Sequence, residues 1–222
     1  MRSYLKLRSI LALALGLGIF FCFGANPSYG ELVKWPGCEG PGCLRTAQTT
    51  AWPPPLQEPA FTIELHRLAI GLPSPPKRVM RQWGGDIILA CQDGSWFSFS
   101  LETKYTSAEG VEMPARSNLT VADSGQFTFT KTAKDPAPDD PNDLWVWRRA
   151  IHFKSQVFGL DNPVYAATKG PLAIYFWEDF QIDKALLAFI FDASDTSNYV
   201  RVYAQNVSFE DFKKIIGTTN HK

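Results

Sequence analysis

Three runs near the C-terminal end limit what this chain can fold into. LAIYFWED (172–179) and LLAFIFDA (186–193) are apolar enough to be central strands of a sheet. DTSN then turns the chain into YVRVYAQ (199–205), a third strand of alternating character. Strands that follow one another this closely pair as antiparallel neighbours. A second signal lies upstream: DIILAC (86–91), the turn QDGS and WFSFSLE (96–102) predict a β-hairpin around Asp93-Gly94. Phe97, Phe99 and Leu101 are expected inward, with Ser98, Ser100 and Glu102 facing water. FTIEL and LAIGL alternate as well, but the phase slips at His66-Arg67, as a bulge or tight reversal would produce.

Helical signals are fewer. Asp140 as N-cap, Pro141 at the first position and Asp143 near the positive end of the helix dipole predict a helix ending near Gly159. Its apolar stripe is expected at Leu144, Trp147, Ile151 and Phe158. Ser208 with Asp211 predicts a last helix with Phe212, Ile215 and Ile216 inside and Gly217 at its end. QFTFT (126–130) alternates and is expected as a short strand. The fold class that follows is α+β, a mostly antiparallel sheet flanked by two or three helices.

The N-terminus bears on compartment. Arg2, Lys6 and Arg8 precede the apolar run ILALALGLGIFFCF, and no acid occurs before Glu31. A basic leader, an apolar stretch of that length and small residues beyond it describe a secretory signal peptide, residues 1–30. Ser28 and Gly30 suit a cut before Glu31, with a cut after Ala25 as the rival. The run falls short of a spanning helix, so no stable membrane span is expected after removal. Phe20 and Phe21 stand where a lipoprotein signal ending at Cys22 wants small residues. The processed chain keeps 19 basic and 22 acidic side chains, a net charge of −3, which is no footprint for nucleic acid. Residues 31–59, rich in Pro and Gly, are expected as an irregular arm, and 60–222 as one domain. The expected location is exported, periplasmic or secreted.

WPGCEGPGC places Cys38 and Cys43 five positions apart. In an exported chain such a pair tends to oxidise and close a small disulfide ring. A zinc site needs further ligands of suitable spacing, and a redox pair wants Cys-x-x-Cys beside a βαβ unit. Cys91 is the odd thiol. It is open to burial, to bridging with Cys38 or Cys43, or to acting as a nucleophile with His152. The acid pairs Glu178–Asp179 and Asp139–Asp140 are expected to be solvated. No phosphate-binding glycine loop, calcium loop or nucleophile elbow occurs, so no cofactor or metal is expected.

Aromatic and arginine residues concentrate in two places: Trp145, Trp147, Arg148 and Arg149 on the first helix, and Tyr175, Trp177 and Phe180 at a strand end. Trp, Tyr and Arg dominate interface hot spots. Trp145, Trp147, Arg148, Arg149 and Trp177 are therefore the candidate partner-binding residues, for a protein partner whose identity is open.

RLAIGLPSPPK resembles the start of some periplasmic immunity proteins that neutralise type VI secretion effectors. AFIFDASDTSNYVRVYAQNVSFEDFKKIIGT is similar to the closing strand-strand-helix of the PsbP-like α+β fold. These resemblances imply an antiparallel sheet flanked by helices and a non-catalytic binding role. The functional expectation is an exported, non-enzymatic protein-binding protein of the envelope, of the effector-immunity or inhibitor kind. An exported hydrolase using Cys91 and His152, and a structural or accessory envelope protein, are the alternatives.

Overall fold

A computed structural model describes residues 37–82, 85–103, 113–159, 163–179 and 185–222. The expected signal peptide (1–30), Cys22 and Phe180 lie outside them. The strands are β1 (Gln48–Thr49), β2 (Phe61–Leu65), β3 (Leu68–Leu72), β4 (Pro76–Arg81), β5 (Ile87–Cys91) and β6 (Trp96–Glu102). Helices α1 (Val121–Thr130) and α2 (Pro141–Val157) follow. Then come β7 (Tyr165–Lys169), β8 (Leu172–Asp179), β9 (Ala185–Asp192), β10 (Asp195–Gln205), α3 (Phe209–Gly217) and β11 (Asn220–His221). Among the described residues the fold is α+β. Eight strands form one sheet in the order β1-β7-β8-β9-β10-β6-β5-β4, and β11-β3-β2 form a second. Every pairing is antiparallel except β1 with β7.

The apolar runs of β8 and β9 are continuous because both faces of the large sheet are buried there. Ile174, Phe176, Ala188 and Ile190 join the α3 side chains Phe212, Ile215 and Ile216 and the small sheet in one core. Tyr175, Trp177, Phe189 and Phe191 meet Ala122, Phe129, Val157 and Phe158 of the α1–α2 side in another. Phe129 sits at the centre of the second, stacked on Tyr175 at 4.4 Å between centroids and edge-on to Phe189 at 5.3 Å.

Local chemistry sets the connections. The β5–β6 turn has Gly94 at φ 86, a conformation that favours glycine. Asp93 Oδ1 accepts from Ser95 N–H (2.9 Å) and Oγ–H (2.6 Å). The slip at His66-Arg67 is a tight reversal: Leu65 pairs with Leu68, and His66 adopts φ 52. The chain turns from β9 at Ala193-Ser194 rather than at DTSN, whose residues already belong to β10. Asp192 Oδ1 holds that turn through Ser194 N–H (2.8 Å) and Oγ–H (2.7 Å).

Three expectations are corrected. QFTFT is the second half of α1 and not a strand. The helix begins earlier, at a capping box in which Thr120 Oγ1 accepts from Asp123 N and Asp123 Oδ2 accepts from Thr120 N. Helix α2 has the expected cap, with Asp140 Oδ1 accepting from Asn142 and Asp143 N–H. Its buried face, however, carries Val146, Ala150, Ile151, Lys154 and Val157, while Leu144 and Trp147 are half-buried. Ser100 and Glu102 are buried rather than facing water, because Arg201 of β10 lies against both.

The arm is structured from Pro41 onward. Cys38 and Cys43 are disulfide-bonded, and Pro41–Leu44 forms a single 3₁₀ turn. Gln48–Thr49 adds a parallel edge to β7. Trp52 Nε1–H then donates to Gly217 O (3.0 Å), and Leu56 N–H to Lys214 O (3.2 Å), so the arm crosses the C-terminal end of α3.

Candidate functional site

The side chains nominated from sequence do not converge. Trp145 is 5% exposed, in a cluster with Met113 and Val146. Trp177 is 2% exposed and stacks on Phe189 at 5.5 Å. Burial removes both from direct contact with a partner. The continuous apolar character of β8, covered on both faces, is what hides Trp177. On α2, Arg148 is exposed, Trp147 and Arg149 are half-buried, and the Arg149 guanidinium lies 5.9 Å from the Trp145 ring centroid. At 100° per residue, Arg148 and Arg149 stand on the outer side of the helix, while Trp147 falls between Ile151 and Lys154 at the buried stripe. The indole N–H of Trp147 is buried without a hydrogen-bond partner among the described residues.

Arg149 also roofs a small cavity between α1, α2 and the sheet, lined by Ser124, Thr128, Ala150, Phe153, Phe189 and Tyr199. Its volume is about 40 Å³. That is room for a water molecule or two, far below the roughly 300–1,000 Å³ of small-molecule sites. Beside it the same sheet face carries a polar group that sequence reasoning missed. Arg201 Nη2 lies 3.1 Å from Glu102 Oε1, a carboxylate only 2% exposed, and 3.4 Å from Ser100 Oγ. Further along the same two strands, Tyr203, opposite Ser98, meets the diagonal Trp96 edge-on at 5.8 Å. The parity of YVRVYAQ was the available signal: Tyr199, Arg201 and Tyr203 oppose the buried Val200, Val202 and Ala204. A larger cleft of about 370 Å³ lies by Met113, Ser117, Leu119, Thr120, Ser197 and Asn198. Among the described residues, neither cavity is lined by a carboxylate, histidine or cysteine.

Cys91 is a free, buried thiol whose pKa burial pushes up, while Ser95 bonds to it and Asp93 adds repulsion of the thiolate. It belongs to the core on the α3 side, whereas His152 rides on α2 across the sheet. The two form no thiolate–imidazole pair, and Cys91 does not bridge to the arm. Among the described residues, no cluster of three or more His, Cys, Asp or Glu could hold a metal ion. Nor is any described helix long and apolar enough to cross a membrane.

The most perturbed group lies under α2. Lys154 is fully buried, donates to Thr128 O at 2.8 Å and sits 4.2 Å from the Phe158 ring centroid. Thr128 O belongs to the last turn of α1, where carbonyls lack intrahelical donors. Lys154 therefore caps α1, and Ala47 N–H, 2.9 Å from Phe129 O, caps it again from the arm. Burial pulls the lysine pKa from 10.5 to about 8, with Asp135 opposing the shift. Between those values the unfolded chain holds the proton and the folded chain does not, so this group's contribution makes stability rise with pH. Below pH 8 it opposes folding by on the order of 3 kcal/mol. Urea unfolding from pH 7.5 to 10 is expected to show wild type gaining on Lys154→Met across the window. The difference isolates Lys154 from Cys91 and Tyr175, whose raised pKa values act in the opposite direction. A constant difference overturns the assignment.

Set beside known proteins, the chain matches no family model, no curated protein and no solved structure.

Proposed function

We propose that this chain is an exported, non-enzymatic protein-binding protein of the cell envelope, of the inhibitor or effector-immunity kind, and that its partner meets the outer ridge of α2. The observation that carries this reading is the exposed Arg148 with half-buried Arg149 on the outer side of α2, on the side of the large sheet that bears Tyr199, Arg201 and Tyr203. Arginine and large aromatics on a rigid element are the composition of an interface hot spot. The volume between α1 and α2 is too small for a substrate, and no carboxylate, histidine or cysteine among the described residues lines the 370 Å³ cleft. The Cys38–Cys43 bond suits an oxidising compartment. The resemblance of RLAIGLPSPPK to periplasmic immunity proteins points the same way. Placing Cys91 and His152 on opposite faces weighs against the hydrolase.

The test is affinity capture from envelope fractions with the full chain and three variants. Arg148→Glu and Trp147→Ala are expected to lower recovery of a specific partner by about ten-fold. Glu210→Lys, on the exposed side of α3, is expected to leave it unchanged. Equal recovery by all variants overturns the ridge assignment. A hydrolytic activity abolished by Cys91→Ala overturns the non-enzymatic reading.

A further inference from the structure

We infer a second binding element on the far edge of the sheet: strand β4 accepts an extended, acidic segment of another protein as an added strand. Among the described residues of the large sheet, β4 has one neighbour, β5. The direction of its main-chain groups follows from the ladder. Gln82 N–H donates to Asp86 O, and Arg81 pairs with Ile87, Met80 with Ile88 and Val79 with Leu89. Hydrogen-bonded pairs alternate along an antiparallel ladder, so Met80 spends its N–H and C=O on β5. Val79 and Arg81 turn theirs outward. From the other side, Cys91 N–H donates to Ser95 O, which assigns the odd positions of β5 to β6 and the even ones to β4. Both readings agree.

The side chains at this edge select the occupant. Lys77, Arg78 and Arg81 are exposed, and none has an ion-pair partner among the described residues. Val79 between them is 62% exposed, the most exposed large apolar side chain described. A second copy of β4 would set three cations against three, which is how basic edges prevent self-association. An extended segment alternating acidic and apolar side chains satisfies all three features. Its main chain meets Val79 and Arg81, its apolar groups cover Val79 on one face of the strand, and its carboxylates meet Arg78 on the other. Within residues 132–143 of the chain itself, Asp135 accepts from Thr132, Asp140 caps α2, and Asp143 accepts from Ser117 and Asn118. The proposed occupant is a segment of another protein. This inference is independent of the α2 ridge.

The probe is a fluorescein-labelled eight-residue peptide of alternating glutamate and valine, titrated by anisotropy against the full chain, with a lysine–valine peptide as control. Expected results are binding of the glutamate peptide alone, weakening with salt, and slower hydrogen exchange at the Val79 and Arg81 amides. Val79→Pro removes one outward donor without touching the β5 ladder and is expected to weaken binding about ten-fold. Arg78→Glu/Arg81→Glu is expected to weaken it at least as much. Circular dichroism establishes that both variants fold. Equal binding of the two peptides, full affinity in folded Val79→Pro, or no binding at millimolar peptide overturns the inference. Binding to anionic vesicles that survives Val79→Pro, in place of peptide binding, overturns it in favour of a membrane surface.

Discussion

Phe129→Ala is expected to cost about 3–5 kcal/mol of unfolding free energy. For a domain of this size that lowers Tm by roughly 6–20 °C. The side chain is 1% exposed and touches the rings of Tyr175, Trp177 and Phe189. Those rings stand on two neighbouring strands whose pairing fixes their positions, so they cannot collapse into the space left behind. The loss therefore includes the cavity as well as the transfer energy. Helix α1 also loses the side chain that seats it on the sheet, and the near-ultraviolet dichroism of the Tyr175 and Trp177 environment should weaken with it. Urea denaturation measures the first effect directly. A loss below about 1 kcal/mol would show that α1 does not rest on this ring cluster.

The second large effect is expected at Gly217, the last residue of α3. A Cβ there would lie 2.5 Å from Pro53 O and 2.8 Å from Pro54 O. Both are backbone atoms of a proline run that cannot rotate away. Glycine-to-alanine normally favours a helix by up to about 1 kcal/mol; overpacking against rigid backbone costs about 1–3 kcal/mol and reverses the sign. Gly217→Ala should lift the arm from α3 and break the bond from Trp52 Nε1 to Gly217 O. Trp52 then becomes more accessible to acrylamide, and trypsin cleaves faster after Arg45. Gly37→Ala, with nothing within 4 Å of its Cβ, should do neither. Unchanged quenching and cleavage in Gly217→Ala would mean that the arm is held by other contacts.

What sequence reasoning captured and missed has a physical pattern. The strands β5, β6, β8 and β9 were legible because burial imposes apolar runs or strict alternation on them. The caps at Asp140 and Ser208 were legible because orphan N–H groups demand particular side chains. Helix α1 was misread because Phe127 and Phe129 sit two apart, and five residues of alternation cannot outweigh a helix. Its capping pair, Thr120 and Asp123, was the better signal. Strand β4 was hidden by Pro75-Pro76 and by its charges, since an edge strand is free to be basic. Strand β1 is two residues long, too short for any period. For the candidate site, sequence placed the correct residue types on α2 but could not phase the helix. Asp143 and Lys154 are polar side chains on its buried face, made compatible with burial by partners 25 or more residues away. The Arg201–Glu102 pair was illegible for the same reason, being a contact between distant strands.

The tie between Gly71 N–H and Thr218 Oγ1 spans 147 positions of the chain. On one side of it stands the β2–β3 hairpin, with Ile63, Ile70 and Leu72 buried; on the other, α3 and β11, which supply the cover. Ribosomes add about 5–20 residues per second. For roughly 7–30 s after the hairpin emerges, its apolar face therefore lacks the cover that α3 supplies. Synthesis time, more than local propensity, sets when this half of the core can close, and a holding factor has that interval in which to act.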